Sequence, residues 1–273
     1  MIAEYSQGFQ KIWKGAGKKL LLVVLLCVSM NAFTQTNKKA FKDGEWLKFR
    51  ISYSNFFNAG NATMQIKETQ NNGQDAFHVV AHGKTTGVIS WFFKVEDDYQ
   101  SYFYKDNTKP YRFIRKINEG GHTKNKEIYF NHQAKKATVK DYKRNTEKTF
   151  DIQNDVQDMI STLYYLRNEN ISSMKMGEEI SLTMFFDQTN YNFKLRYLGK
   201  EVIRTKFGKV ATVKFMPIVQ AGRVFKEEES LTVWVSDDEN KIPLRIKASL
   251  TVGSMRADLD AYKGLANPFP IIF

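Results

Sequence analysis

Along most of the chain apolar and polar residues alternate one by one. Leu47, Phe49, Ile51 and Tyr53 fall on one side of an extended backbone, with Lys48, Arg50 and Ser52 on the other, the pattern of a strand with one wet face. It recurs at Ala62, Met64 and Ile66, at Ala137 and Val139, and at Ile180, Leu182, Met184 and Phe186. It returns at Tyr191, Phe193, Leu195 and Tyr197, and at Leu231, Val233 and Val235. It is clearest at Leu244, Ile246, Ala248, Leu250 and Val252, then Met255, Ala257, Leu259 and Ala261. Turn residues punctuate these runs: Asn58-Ala59-Gly60-Asn61, Asn71-Asn72-Gly73, Asp106-Asn107, Glu119-Gly120-Gly121, Phe207-Gly208-Lys209 and Asp237-Asp238-Glu239-Asn240. Short spacings of this kind predict hairpins. The expected fold is all-β, an antiparallel meander forming a curved sheet, half-barrel or barrel with one covering α-helix.

That helix is predicted over 154–168. Asn154 is placed to cap it with Gln157 in a capping box, and Val156, Met159, Ile160, Leu163 and Leu166 recur at helical spacing through Arg167. Its apolar stripe needs a partner, and the concave side or one end of the curved sheet supplies one. The chain thus divides into a first β half (41–152), the helix, and a second β half (177–263).

The first 34 residues read differently. Lys11, Lys14, Lys18 and Lys19 lead into the apolar run from Leu20 to Val28, and Ala32-Phe33-Thr34 precedes a polar stretch. This is the plan of a cleavable signal peptide, with cleavage expected near Thr34 or Gln35. The run is about half of the ~20 residues a spanning helix needs. Leu25 and Leu26 before Cys27 do not fit a lipoprotein site, which calls for small residues. The expectation is a periplasmic or envelope-associated protein spanning 35–273.

Loss of that segment removes four lysines and Glu4, taking the net charge from +12 to +9. It also removes Cys27, the one cysteine of the chain, so the exported part has neither disulfides nor a thiol nucleophile and must rest on a core. The remaining Lys and Arg are spread over the strands on positions opposite the apolar ones. That distribution reads as a solvated face and not as a nucleic-acid site, while leaving attraction to anionic envelope lipid open.

With the strands placed, a resemblance emerges. Phe41-Lys42-Asp43-Gly44-Glu45-Trp46-Leu47-Lys48-Phe49 leads to Asn58-Ala59-Gly60. Asp158, Ile160, Ser161, Tyr164 and Arg167 are spaced along one segment. Leu231-Thr232-Val233-Trp234-Val235-Ser236-Asp237-Asp238 is followed by Ile242-Pro243-Leu244 and Val252-Gly253-Ser254. In order and spacing these pieces resemble the DUF3108 family of exported bacterial proteins. The resemblance implies export and an all-β architecture, and no reaction. By architecture alone such chains are also similar to envelope half-barrels that carry lipid or lipoprotein. Read physically, Gly44 and Gly60 serve turn dihedrals, Trp234 fills the core from a strand, and Pro243 marks an edge strand or a strand start.

Candidate chemistry is sparse. His78 and His82 share a strand face but stand too far apart to chelate alone, and His122 and His132 fall in or near turns. Gly83-Lys84-Thr85 lacks the leading glycine and the strand-loop-helix context of a phosphate loop. No G-x-S-x-G, S-x-x-K or H-E-x-x-H occurs. The carboxylate pairs Asp97-Asp98, Asp155 with Asp158, and Asp237-Asp238 sit at turn or cap positions and read as solvated or capping groups. No enzyme activity, cofactor or metal is therefore expected.

One segment breaks the alternation. In Val88-Ile89-Ser90-Trp91-Phe92-Phe93-Lys94-Val95 three aromatics run consecutively, so at least one ring must face away from its neighbours. Either core covers both faces there, or a ring lines a pocket or meets membrane. The paired Tyr164-Tyr165 poses the same question on the helix. Trp91, Phe92, Phe93, Tyr164 and Tyr165 are accordingly the candidate ligand-binding residues, expected to border an apolar cavity. The resulting expectation is a non-enzymatic binding or carrier protein for a lipid or other hydrophobic molecule. The alternative is a structural or interaction barrel, filled by its own side chains and meeting another envelope protein.

Overall fold

Residues 39–54, 57–87, 89–218, 230–250 and 252–272 are described in the computed structural model. The expected signal segment and its cleavage site lie outside the described residues. Alternation yields β1 (Trp46–Tyr53), β2 (Phe57–Asn71), β3 (Gln74–Thr85), β4 (Val95–Tyr104), β5 (Pro110–Glu119), β6 (His122–Asn131), β7 (Lys136–Asp141) and β8 (Thr146–Asp151), each pairing antiparallel with the next. A single-turn helix, α1 (Ile89–Phe92), interrupts the connection from β3 to β4, and α2 (Met159–Asn168) follows β8.

A second meander then forms: β9 (Glu179–Phe186), β10 (Thr189–Thr205), β11 (Gly208–Ile218), β12 (Leu231–Ser236), β13 (Pro243–Ser249) and β14 (Ser254–Lys263). β14 returns to pair antiparallel with β1, and the short β15 (Ile271–Ile272) adds to β11. The two meanders are thereby one sheet, whose free edges are β8 and β9. No ladder joins those edges. The chain leaving β8 reaches β9 through a single parallel bridge, in which Gln157 N donates to Thr183 O and Phe185 N donates to Gln157 O, both at 2.9 Å. The expected curved sheet is thus open, with one stitch across its gap.

The core explains the curl. Phe41, Ile66, Phe77, Val79, Phe103, Phe113 and Phe185 form one buried cluster, and α2 inserts Ile160 and Tyr164 into it. The Tyr164 ring meets Phe41 edge-on at 4.7 Å and Phe103 at 5.4 Å. Two further clusters serve the second meander. One gathers Leu47, Phe49, Trp234 and Leu244 against the tail residues Leu265 and Phe269; the other gathers Leu195, Tyr197, Val213 and Phe215.

Three expectations need correction. The helix begins at Met159 and not near Asn154: Asp158 is its N-cap, its side chain accepting from Ile160 N and Ser161 N while Ser161 Oγ accepts from Asp158 N. Gln157 instead makes the bridge to β9, and Val156 beside it is buried in the first core. Gly60 is no turn residue. It lies in β2, where a Cβ would come within 2.2 Å of Lys84 O, so close strand approach is what calls for glycine. Finally, Ser52 is buried where strict alternation puts it in water, its Oγ donating to Arg256 O at 3.4 Å, beside a shift in the β1–β2 register that leaves Ala59 of β2 unpaired. Gly44 does take φ +79°, Trp234 is buried, and Pro243 opens β13.

Candidate functional site

The residues of α2 that face the first meander are sealed. Arg167 is 2 % exposed and makes a bidentate pair with Glu45, Nη1 donating to Oε1 at 2.6 Å and Nη2 to Oε2 at 2.7 Å. Its remaining donors reach Ala40 O at 2.8 Å and Asn240 O at 2.9 Å. The guanidinium also lies 5.3 Å from the Phe41 ring and 5.4 Å from that of Tyr164. One side chain thereby ties the residues before β1, the helix and the β12–β13 connection together.

At the other end of α2 the Asp158 carboxylate, fully buried, accepts from Ser101 Oγ at 2.6 Å as well as from its own cap. Burial pushes its pKa up to about 6, and the hydrogen bonds from Ser101, Ser161 and Ile160 restrain the rise. These polar groups are engaged by protein partners, and of them Arg167 alone also borders the cleft on the other side of the helix.

The opposite side of the helix is different in kind. Met159, Leu163 and Leu166 line an apolar cleft of about 390 Å³, which runs between α2 and the inward side chains of the second meander. Phe193 and Leu195 of β10, Phe215 of β11, Val233 and Val235 of β12, and Ile246 of β13 form its far wall. Phe49, Ala62 and Met64 reach it from β1 and β2. Its methionines, Met64, Met159 and Met184, are unbranched and adapt to irregular occupants. The polar lining is confined to Thr162, Arg167 and Lys241. Thr162 Oγ1 donates to Asp158 O at 2.7 Å and Arg167 is engaged as above. Lys241 alone brings an ammonium without an ion-pair partner among the described residues.

A larger depression, about 430 Å³, surrounds His82, Asp97, Asp98, Lys116 and Lys124. It is open and ionic, and its groups pair with one another: His82 Nδ1 meets Asp98 Oδ2 at 2.9 Å, and Asp97 Oδ1 accepts from Asn118 N at 3.2 Å. Volume alone therefore misleads, and the apolar cleft is the better candidate for a small-molecule site.

The five residues singled out by sequence do not meet in one place. Trp91, Phe92 and Phe93 are exposed on α1 and just beyond it, away from the cleft lining; they neither fill core nor border the cavity. Tyr164 is buried in the first core, and Tyr165 is half-buried. Burial and the nearby Glu45 carboxylate hold the Tyr164 phenol well above its usual range, so it stays neutral. The remaining candidates are also spoken for: His78 pairs with Gln100, Asp155 with Lys109, Asp237 with Lys200, and Asp238 accepts from Ser236 and Asn240. Among the described residues no three His, Cys, Asp or Glu side chains are grouped as a metal would need. None of their helices is long and apolar enough to cross a membrane.

Comparison with known proteins bears on family and fold. The model of the DUF3108 family, described as a protein of unknown function, matches residues 48–260. No curated protein matches the chain. Among solved structures, a β-barrel-like protein of the domain of unknown function DUF1849 from Brucella abortus is similar at 11 % identity and a TM-score of 0.54. The similarity covers 82 % of this chain and 98 % of that one. A hypothetical protein from Chlamydia trachomatis is similar at 8 % identity and a TM-score of 0.38, over 85 % of this chain and 92 % of that one. The first of these likenesses shows a β-barrel-like fold.

Proposed function

This chain belongs to the DUF3108 family, and from that starting point we propose that it is an exported, non-enzymatic envelope protein that holds a lipid or similar amphiphile in the cleft beside α2. The observation that carries the reading is the cleft itself. Its volume of about 390 Å³ lies within the ~300–1,000 Å³ of small-molecule sites, and its walls are apolar apart from Thr162, Arg167 and Lys241. Lys241, the one cation there free of an ion pair among the described residues, suits the carboxylate or phosphate of an anionic head group. The basic leader followed by an apolar run supports export.

The test is titration of the purified protein with a fluorescent fatty acid, beside two variants. The wild type is expected to bind in the micromolar range, about −8 kcal/mol. Ala257→Phe puts a ring into the cleft and is expected to abolish binding while the protein stays folded. Lys241→Gln is expected to weaken an anionic probe and leave a neutral one unchanged. A folded wild type that binds no probe would overturn the reading and favour the filled structural module, for which the packed first meander speaks.

A further inference from the structure

We propose that one rim of the sheet, centred on Trp91 and Phe92, is a docking surface for a phospholipid bilayer. The register fixes the rim. Tyr53, at the end of β1, pairs with Phe57 of β2 on one side and Met255 of β14 on the other. The β1–β2 and β13–β14 connections therefore lie side by side, joined by Ser54 N donating to Ser254 O at 2.8 Å and Tyr53 OH to Val252 O at 3.0 Å. The β3–β4 connection joins them from the other flank, through Thr86 N donating to Ala59 O at 3.1 Å. On these three adjoining connections Trp91 and Phe92 are each 83 % exposed, Val252 75 %, Phe57 63 % and Phe93 52 %. Single exposed apolar residues are ordinary; a run of them on neighbouring loops is not.

The loop is built to present these rings. Phe93 rests on Gly120, where a Cβ would come within 2.5 Å of its ring. Gly120 N donates to Lys94 O at 2.8 Å, and Ser90 Oγ donates to Gly87 O at 2.6 Å. Phe93 thus pins the connection to the β5–β6 turn and leaves Trp91 and Phe92 pointing outward. Tryptophan and phenylalanine on a projecting tip suit the boundary between head groups and acyl chains.

Charge selects a bilayer over another protein. Lys84 and Lys247 stand exposed near the ends of β3 and β13, neither with an ion-pair partner among the described residues. The chain from Gln35 on carries +9. Apolar anchors flanked by free ammonium groups match an anionic lipid surface. The inference is independent of the cleft and stands whether or not the cleft holds a ligand.

Vesicle flotation tests it, using the processed chain as cells export it. One vesicle set contains phosphatidylethanolamine and phosphatidylglycerol at roughly three to one, the other phosphatidylcholine alone. The wild type is expected to float with the anionic vesicles, with a blue shift in tryptophan emission, and more weakly with the neutral ones. The double variant Trp91→Ser/Phe92→Ser is expected to lose about tenfold or more in binding to both, with its melting temperature and fatty-acid binding unchanged. Lys84→Glu/Lys247→Glu is expected to weaken only the anionic set. The proposal is overturned if the wild type stays at the bottom of the gradient, or if the serine variant floats as the wild type does. It is also overturned if the serine substitutions dissolve a dimer of this chain without altering flotation.

Discussion

The two sides of α2 meet opposite halves of the sheet and are treated in opposite ways. Toward the first meander the helix buries an aspartate, an arginine and a tyrosine, and the space around them is closed by Phe41, Phe103 and Glu45. Toward the second it presents Met159, Leu163 and Leu166 to a cleft. The ordinary arrangement would seal the apolar stripe and wet the polar one. The inversion teaches that burial of charge here serves to fix the helix in place, since the Asp158 carboxylate and the Arg167 guanidinium both find protein partners. With position secured on one side, the apolar side packs Leu166 against the Leu195 and Phe215 cluster and leaves Met159 and Leu163 bordering open space.

The sharpest way to break this contrast is to cut the tie. Arg167→Met removes the bidentate partner of Glu45 and leaves a carboxylate buried and unpaired. The expected loss of stability is about 3 to 5 kcal/mol, read as a fall in the denaturant midpoint. The double variant Arg167→Met/Glu45→Met is expected to regain much of that loss, because the orphaned charge is gone. A single variant as stable as the wild type would mean the tie does not hold the helix.

The cap of the same helix gives a smaller effect with a pH signature. Asp158, pushed up to about 6 in the folded protein, has a pKa of about 3.9 when unfolded. Between about pH 4 and pH 6 the unfolded chain is then the form that has released its proton. Stability contributed by this group is therefore fully present below about pH 4, declines as pH rises to about 6, and is level above; two pKa units correspond to roughly 3 kcal/mol. Asp158→Asn keeps a capping oxygen and can donate to Ser101 Oγ, so its stability profile is expected to lack that decline. Parallel profiles for the two proteins would refute the assignment.

What the sequence disclosed follows the same division. Strand after strand was legible because side chains alternate about an extended backbone, and the cleft walls at Phe193, Leu195, Val233, Val235 and Ile246 are residues that alternation had already set on one face. That these walls stay partly uncovered depends on where α2 comes to rest, which no local pattern records. The helix start was misread because Asn154 and Gln157 have the right spacing for a cap while Asp158 and Ser161, four residues on, make the actual one. Burial of Asp158 and Arg167 ran against the default for charged residues, although the family-like spacing of Glu45, Asp158, Tyr164 and Arg167 had put the partners in view. The aromatic run broke alternation for a reason that strand logic does not contain, since the segment turns a short helix at the rim.

The mildest substitution compares the two sides most directly. Ile160 is buried in the first core and Leu163, one turn later, lines the cleft. Ile160→Ala is expected to cost the ~2–4 kcal/mol usual for a packed aliphatic side chain. Leu163→Ala removes a group that is only half-buried and borders space already open, so less contact is lost and the expected cost is about 1 kcal/mol. Its larger consequence is on binding: widening the cleft by three carbons is expected to weaken a single-chain fatty-acid probe by a few-fold and to favour a bulkier one. Thermal melts and probe titrations on the two variants separate the cases. Equal destabilisation by both, with no change in probe preference, would mean that the second meander is packed as tightly as the first and that the contrast between the two sides of the helix does not hold in solution.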